Sequence, residues 1–349
     1  MSNGWMLWKN IWTPTCQQSK EKQKVVKKVI KWILSGIAAL IGLVTISNYK
    51  SANYWKFAEP KGAIETKYTA LGEHEVSLVE FEESDTAWEK YEIWYPSDLE
   101  QSDSIYPVVV IANGTGMKAS KLSVIYEHLA SWGFIVAGNE DENSRTGASS
   151  AATLDFILSL NDDPQSVFYG RIDTENIGIT GHSQGGVGAI NAVTKQKNGN
   201  LYKAICAQST TSSAVAYALN LLDGELDGGW DCDPSSLSIP AFMVAGTGSF
   251  DAGNVEENRL ELAEGETQGI CPLWWLRECF DAMPDTAPKV IGRLSGKDHG
   301  DIPLSADGYM TAWFMYWLQG DAASGKAFFG ADAEISTNEN WQDVAINSP

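Results

Sequence analysis

Ile177-Gly178-Ile179-Thr180-Gly181-His182-Ser183-Gln184-Gly185-Gly186 decides how this chain is read. Four residues of buried-strand type run straight into Gly-His-Ser-Gln-Gly, and a helix of small residues follows from Val187 to Thr194. Strand, sharp turn and helix in that order form the elbow that presents a nucleophilic serine. The glycines have a steric task. Strand and helix must approach closely around a turn too tight for bulky neighbours, which Gly181 and Gly185 permit. Ser183 is therefore the candidate nucleophile.

A serine hydroxyl attacks poorly unless a base within hydrogen-bond reach takes its proton. The chain has four histidines. His182 sits inside the elbow and reads as a packing or hydrogen-bonding residue under the turn. His74, at a strand entrance, and His128, on the polar side of a helix, read as solvated surface histidines. His299 is the one histidine after the serine, in Ser295-Gly296-Lys297-Asp298-His299-Gly300-Asp301. In this arrangement the chain order is Ser, then Asp or Glu, then His, so His299 is the expected base. The acid should follow an intervening strand, Ala241 to Gly246, and Asp251 stands in the loop at its end, with Glu256 as the alternative. Asp298 and Asp301 read as loop charges.

An oxyanion hole needs two N–H donors aimed at the developing charge. The Gln184 amide, first in the helix, supplies one. The other comes from Asn113-Gly114-Thr115-Gly116 after the buried run Tyr106 to Ala112. Thr115 is the expected donor, with Gly114 or Gly116 open. Asn113-Gly114-Thr115 also matches a glycosylation sequon, taken as chance in a loop lining the site.

The rest of the chain supplies an α/β frame. Val76 to Phe81 and Tyr91 to Tyr95 alternate in period two, and Tyr106 to Ala112 reads as a strand buried on both faces. Further strands are expected at Phe134 to Ala137, Ala204 to Ala207, Ala241 to Ala245 and Lys289 to Leu294. Helices are expected at Lys121 to Trp132, Ser150 to Leu160 and Tyr309 to Leu318. Alternation of this kind predicts a mostly parallel central sheet with helices on both faces. Two stretches rich in Trp, Gly and acidic residues, near 223–238 and 265–288, read as lid-like insertions. Their tryptophans (Trp230, Trp274, Trp275) would stack against substrate or anchor the lid.

With 349 residues the chain is long enough for one large core plus appendages. Its formal net charge of −20 argues against a nucleic-acid partner, since phosphate binding needs clustered cations. Residues 1–50 hold 8 lysines and one acidic residue, against 17 basic and 44 acidic in the remainder. Residues 1–28 thus read as a basic cytoplasmic segment and 29–47 as a transmembrane signal-anchor that leaves the large domain outside the membrane. Cleavage of the segment, giving a secreted protein, is the rival reading. Residues 48–65 read as a linker, 66–330 as the catalytic domain and 331–349 as a tail.

No cofactor is expected, and the cysteine spacings fit no zinc pattern. The acidic cluster Asp223, Glu225, Asp227, Asp231 and Asp233 lacks EF-hand spacing and reads as solvated rather than calcium-holding. Outside the cytoplasm, one disulfide among Cys232, Cys271 and Cys279 is allowed, with the pair open.

The chain resembles the α/β-hydrolase superfamily. Within it, the resemblance runs to the group of cutinase-like polyester hydrolases, dienelactone-hydrolase-like enzymes and chlorophyllases. The stretches PVVVIANGTG, HLASWGFIVAGNEDEN, IGITGHSQGG, IPAFMVAGTGSFD, KDHGD and MTAWFMYWLQGD carry it, across about Tyr106 to Phe329. The resemblance implies Ser183, Asp251 and His299 as a triad, Thr115 and Gln184 as oxyanion donors, and hydrolysis of an ester through an acyl-enzyme. Two departures stand beside it: those polyester hydrolases usually carry Met where this chain has Gln184, and the spacings between triad members are longer here. An acyltransferase or peptidase with the same triad, or an idle binding scaffold, are the alternatives.

Overall fold

The computed structural model describes residues 50–83, 85–224 and 229–348. The expected cytoplasmic segment 1–28 and signal-anchor 29–47 lie outside these. Among the described residues no helix is long and apolar enough to cross a membrane.

The strands are β1 (Val76–Glu82), β2 (Lys90–Pro96), β3 (Tyr106–Ala112), β4 (Ile135–Asn139), β5 (Ile172–His182), β6 (Tyr202–Gln208), β7 (Ala241–Gly246), β8 (Lys289–Leu294) and β9 (Trp341–Asn347). They form one sheet in the order β1-β2-β4-β3-β5-β6-β7-β8-β9. The run from β4 to β8 is parallel, while β1, β2 and β9 pair antiparallel at the two edges.

Successive strand side chains point to opposite faces, so every central strand feeds two cores. On one face Val108, Val110, Ile177, Ile179 and Ile205 pack with α3 (Ala148–Asp162), α4 (Gln184–Lys195) and α7 (Leu273–Ala282). On the other, Val109, Ile111, Val136, Phe242 and Val244 meet α2 (Ser123–Ser131) and α9 (Asp307–Gln319). Four further helices complete the frame: α1 (Ala63–Thr69) and the single turn α8 (Ile302–Ser305) add Tyr68 and Ile302 to the second core, α5 (Ser213–Asp223) adds Ala214 to the first, and the single turn α6 (Ser249–Ala252) follows β7.

The strand order reverses at β3. Its chain neighbour β4 lies on one side, and β5 crosses to the other. A crevice opens outside the C-terminal ends of strands at such a reversal. The loop after β3 and the elbow after β5 meet there.

Three readings of the sequence need correction. The stretch 331–349 is no tail, because β9 pairs with β8 from Lys289↔Asn347 to Leu294↔Trp341. Trp341 packs its ring 5.9 Å from that of Phe242 and buries there. The stretch 265–288 is no free lid either. Its middle is α7, whose Trp275 and Leu276 are buried in the core beside Cys271 and Cys279. Finally, helix α1 begins at Ala63, inside the expected linker.

Candidate active site

Ser183 stands between β5 and α4 with φ 60° and ψ −121°. Few L-residues hold a positive φ, and the strain of about 1–3 kcal/mol persists only where the surroundings enforce it. Here they do. A Cβ on Gly181 would lie 2.1 Å from the Gly185 carbonyl oxygen, and one on Gly185 would lie 2.2 Å from that of Ala112. The turn closes because both positions lack a side chain.

The structure brings three of the expected residues into one line. Ser183 Oγ lies 2.9 Å from His299 Nε2, and His299 Nδ1 lies 2.7 Å from Asp251 Oδ1. Asp251 is fully buried, so its carboxylate needs every lone pair answered. Its Oδ2 accepts the Ser209 hydroxyl and the Gly246 N–H, each at 2.6 Å. With Nδ1–H committed to Asp251, His299 presents an unprotonated Nε2 to the serine. That is the tautomer a general base requires. Glu256, the alternative acid, lines a different cavity with Glu257 and Trp274.

Thr115 and Gln184 face each other across the crevice, the Gln184 Nε2 lying 3.2 Å from Thr115 Oγ1. Gln184 opens α4, and a first-turn N–H has no acceptor within its own helix. The loop carrying Thr115 is tied down by Asn113, whose Nδ2 donates to the carbonyls of Asn139 and Asp141 at 2.7 and 2.8 Å. Glu140 secures its far end by accepting the Ser120 N–H and hydroxyl. Asn113 is buried and engaged in this way, which leaves no room for a glycan.

A cavity of about 600 Å³ opens over Ser183 and His299. Its wall is mostly apolar: Met117 and Leu122 before α2, Leu219 of α5, Trp230, Phe250 of α6 and Pro303 of α8. Trp230 reaches the cavity held by an Nε1–H bond to Asp223 Oδ2 at 2.9 Å, with the Arg145 guanidinium 5.2 Å from its ring centroid. Of the three tryptophans singled out above, it alone lines this cavity; Trp274 and Trp275 belong to the core around α7.

Other readings shift. His128 is not a surface residue: it is fully buried, its Nδ1 is 2.9 Å from Asp307 Oδ2 and its Nε2 is 2.9 Å from the Ala70 carbonyl. Burial lowers its pKa, yet the Asp307 carboxylate more than offsets this and holds it above the ordinary value. The helix pattern of α2 marks one apolar face but cannot show that α1 and α9 cover the other. His74 remains at the surface beside Asp98.

Asp298 is more than a loop charge. Its carboxylate accepts the backbone N–H groups of Phe250, Asp251 and His299. The signal in the sequence was an Asp directly before a predicted catalytic turn, the position from which side chains cap helices. Cys232, Cys271 and Cys279 carry free thiols, and burial pushes that of Cys232 up to about 12. In the acidic cluster, Asp223, Asp231 and Asp233 each accept neighbouring hydrogen bonds, while Glu225 and Asp227 lie outside the described residues. Among the described residues no three carboxylates, imidazoles or thiols form a metal cluster.

His182 hydrogen-bonds as expected, and its partner is His299. Its Nε2 lies 2.8 Å from the His299 carbonyl oxygen, which makes Nε2–H the donor, and the two rings are 4.5 Å apart. Burial, and then the neighbouring His299, push its pKa down to about 4. The unfolded chain takes up this proton near the ordinary value of about 6.5, and the folded chain resists until about 4. Acidification from about 6.5 to 4 therefore favours unfolding. Melting temperatures measured across that window fall more steeply for the wild type than for His182→Gln, which retains an N–H donor without a titrating ring. Parallel slopes would remove His182 as a cause of acid sensitivity.

Residues 58–218 match the family described as PET hydrolase-like. The match includes Thr115, Ser183 and Gln184 and ends before Asp251 and His299. Over 105 residues the chain is 33% identical to the bis(hydroxyethyl) terephthalate hydrolase of Streptomyces coelicolor, covering 29% of this chain and 32% of that protein. It is 23% identical over 239 residues to cutinase 2 of Thermobifida cellulosilytica and to cutinase cut1 of Thermobifida fusca. Those alignments cover 66% of this chain, and 73% and 60% of the two cutinases. The matched stretch is thus about a third of the Streptomyces protein and well over half of each cutinase.

Proposed function

We propose that the chain is a cutinase-like α/β-hydrolase, a serine ester hydrolase working through an acyl-enzyme. The observation that carries this reading is the continuous line from Ser183 Oγ through His299 to the buried Asp251 carboxylate, at 2.9 and 2.7 Å. Ser183 attacks the acyl carbonyl while His299 Nε2 takes its proton. The N–H groups of Thr115 and Gln184 receive the oxyanion. His299 then protonates the leaving alcohol, and water, activated by the same imidazole, releases the acid.

The apolar wall of the cavity favours an ester with a bulky hydrocarbon or aromatic portion. A terephthalate diester, the substrate in the name of the Streptomyces relative, is one such compound. The first assay uses the fragment 51–349 with p-nitrophenyl esters of rising chain length and with bis(hydroxyethyl) terephthalate. Hydrolysis together with covalent labelling by a fluorophosphonate is the expected result. A folded fragment that neither hydrolyses nor labels would sink the enzyme reading in favour of a binding scaffold.

The lysines before residue 29 and the apolar run 29–47 support a membrane-anchored protein with its catalytic domain outside the cytoplasm. Full-length protein should then stay with carbonate-washed membranes and be digested by protease added to intact cells. Recovery in the cytosolic fraction would refute this placement.

A further inference from the structure

One carboxylate outside the Ser183–His299–Asp251 line binds the backbone on both sides of it. Asp298 Oδ1 accepts the N–H of Asp251 at 2.9 Å, of His299 at 2.8 Å and of Phe250 at 3.1 Å, with Oδ2 3.2 Å from the last nitrogen. Phe250 and Asp251 lie in the first turn of α6, and His299 begins a 3-10 turn, His299–Asp301. First-turn N–H groups find no acceptor within their own helix. A single side chain thus answers the free donors of two elements, one bearing the acid and the other the imidazole.

The surroundings are built for this carboxylate. Gly248 must lack a side chain, because a Cβ there would lie 2.3 Å from Asp298 Cγ. Asp301 Oδ2 accepts the Asp298 N–H at 3.0 Å, and the Lys297 carbonyl accepts the N–H groups of Thr247 and Gly248 at 2.9 and 2.8 Å. The loops after the neighbouring strands β7 and β8 are joined at this point. Burial works against the Asp298 charge, but the three backbone N–H groups outweigh it and keep the carboxyl below its ordinary value, hence ionised.

We propose that Asp298 is a positioning residue that sets the register between Asp251 and His299. It touches neither substrate nor the reacting atoms. Its effect passes through the backbones of residues 250, 251 and 299, and it rests on the triad reading above. Without the carboxylate, the three N–H groups turn to water and the two loops move independently. A displacement of about 1 Å at a reacting group can lower a rate by about a hundredfold.

The test combines kinetics with a signal that needs no turnover. Asp298→Ala should lower kcat for a p-nitrophenyl ester by about 10- to 100-fold with KM nearly unchanged. Asp298→Asn, whose amide oxygen still accepts N–H groups, should recover much of this loss, and it also serves if the alanine variant folds poorly. In an Asp251→Ala background, Asp298→Ala should have a smaller further effect, because only His299 then remains to be placed. The low-field proton resonance of His299 Nδ1–H should shift or broaden in Asp298→Ala. Unchanged kcat and resonance in a folded variant would overturn the proposal, as would the same fold-loss in the Asp251→Ala background. If the wild type itself neither hydrolyses esters nor labels, the ester-hydrolase reading fails instead; the Nδ1–H resonance still reports on register.

Discussion

Ser183→Ala lowers turnover of a p-nitrophenyl ester by roughly 10⁶-fold, with a melting temperature close to that of the wild type. The loss is chemical. Alanine removes the single oxygen that His299 Nε2 addresses at 2.9 Å and leaves the cavity and its apolar wall in place. The residual rate comes from binding and the oxyanion donors, which together leave roughly 10³-fold over water in related triads. Folding is spared for a separate reason. Alanine keeps a Cβ at the φ 60° position, so the backbone strain of the elbow is neither relieved nor increased. Circular dichroism melts and kcat/KM on the same preparations check both halves. Activity within tenfold of wild type would remove Ser183 from the mechanism, and a collapsed melting temperature would make it a structural residue.

The elbow was legible because every part of it is local. Gly181 and Gly185 stand two residues to either side of Ser183, and the strand and helix that create the strain adjoin them in sequence. The run Tyr106 to Ala112 was legible for the same kind of reason: a strand buried on both faces is continuously apolar. His299 followed from chain order and elimination.

What escaped was cooperative across long separations. β9 is mixed in polarity and recognisable only once β8 offers it an edge. The burial of His128 depends on α1 and α9, which lie far from it in the chain. Asp298 gains its role from N–H groups 48 and 47 residues earlier, in a loop that the strand order brings alongside. The aromatic α7 resembled a lid because Trp274 and Trp275 carry no sign of which surface they cover. Their buried contacts with Cys271 and Cys279 supply the answer. Periodicity reports an element's own faces; it does not report what arrives to cover them.

Asp251→Asn, a change of one atom, should cost about 10⁴-fold in kcat, and the surrounding donors explain why. Oδ2 receives two N–H or O–H donors, from Gly246 and Ser209, and the Gly246 amide cannot reverse its polarity. An asparagine must therefore turn its carbonyl oxygen to that side, or bury its NH₂ against another donor with no acceptor. With the oxygen so placed, the NH₂ faces His299 Nδ1 across the 2.7 Å contact. Nδ1 must then accept, so the imidazole proton moves to Nε2. In that tautomer the ring donates toward Ser183 and can no longer take its proton. The geometry survives and the base is lost. A crystal of the variant should show an unchanged triad, while its kcat falls and its KM holds. Asp251→Ala leaves the tautomer free, so it should fall less than Asp251→Asn in kcat, although it loses more stability. Equal activity of Asp251→Asn and the wild type would mean that the carboxylate neither orients nor charges the imidazole, and the triad reading would fail at its third member.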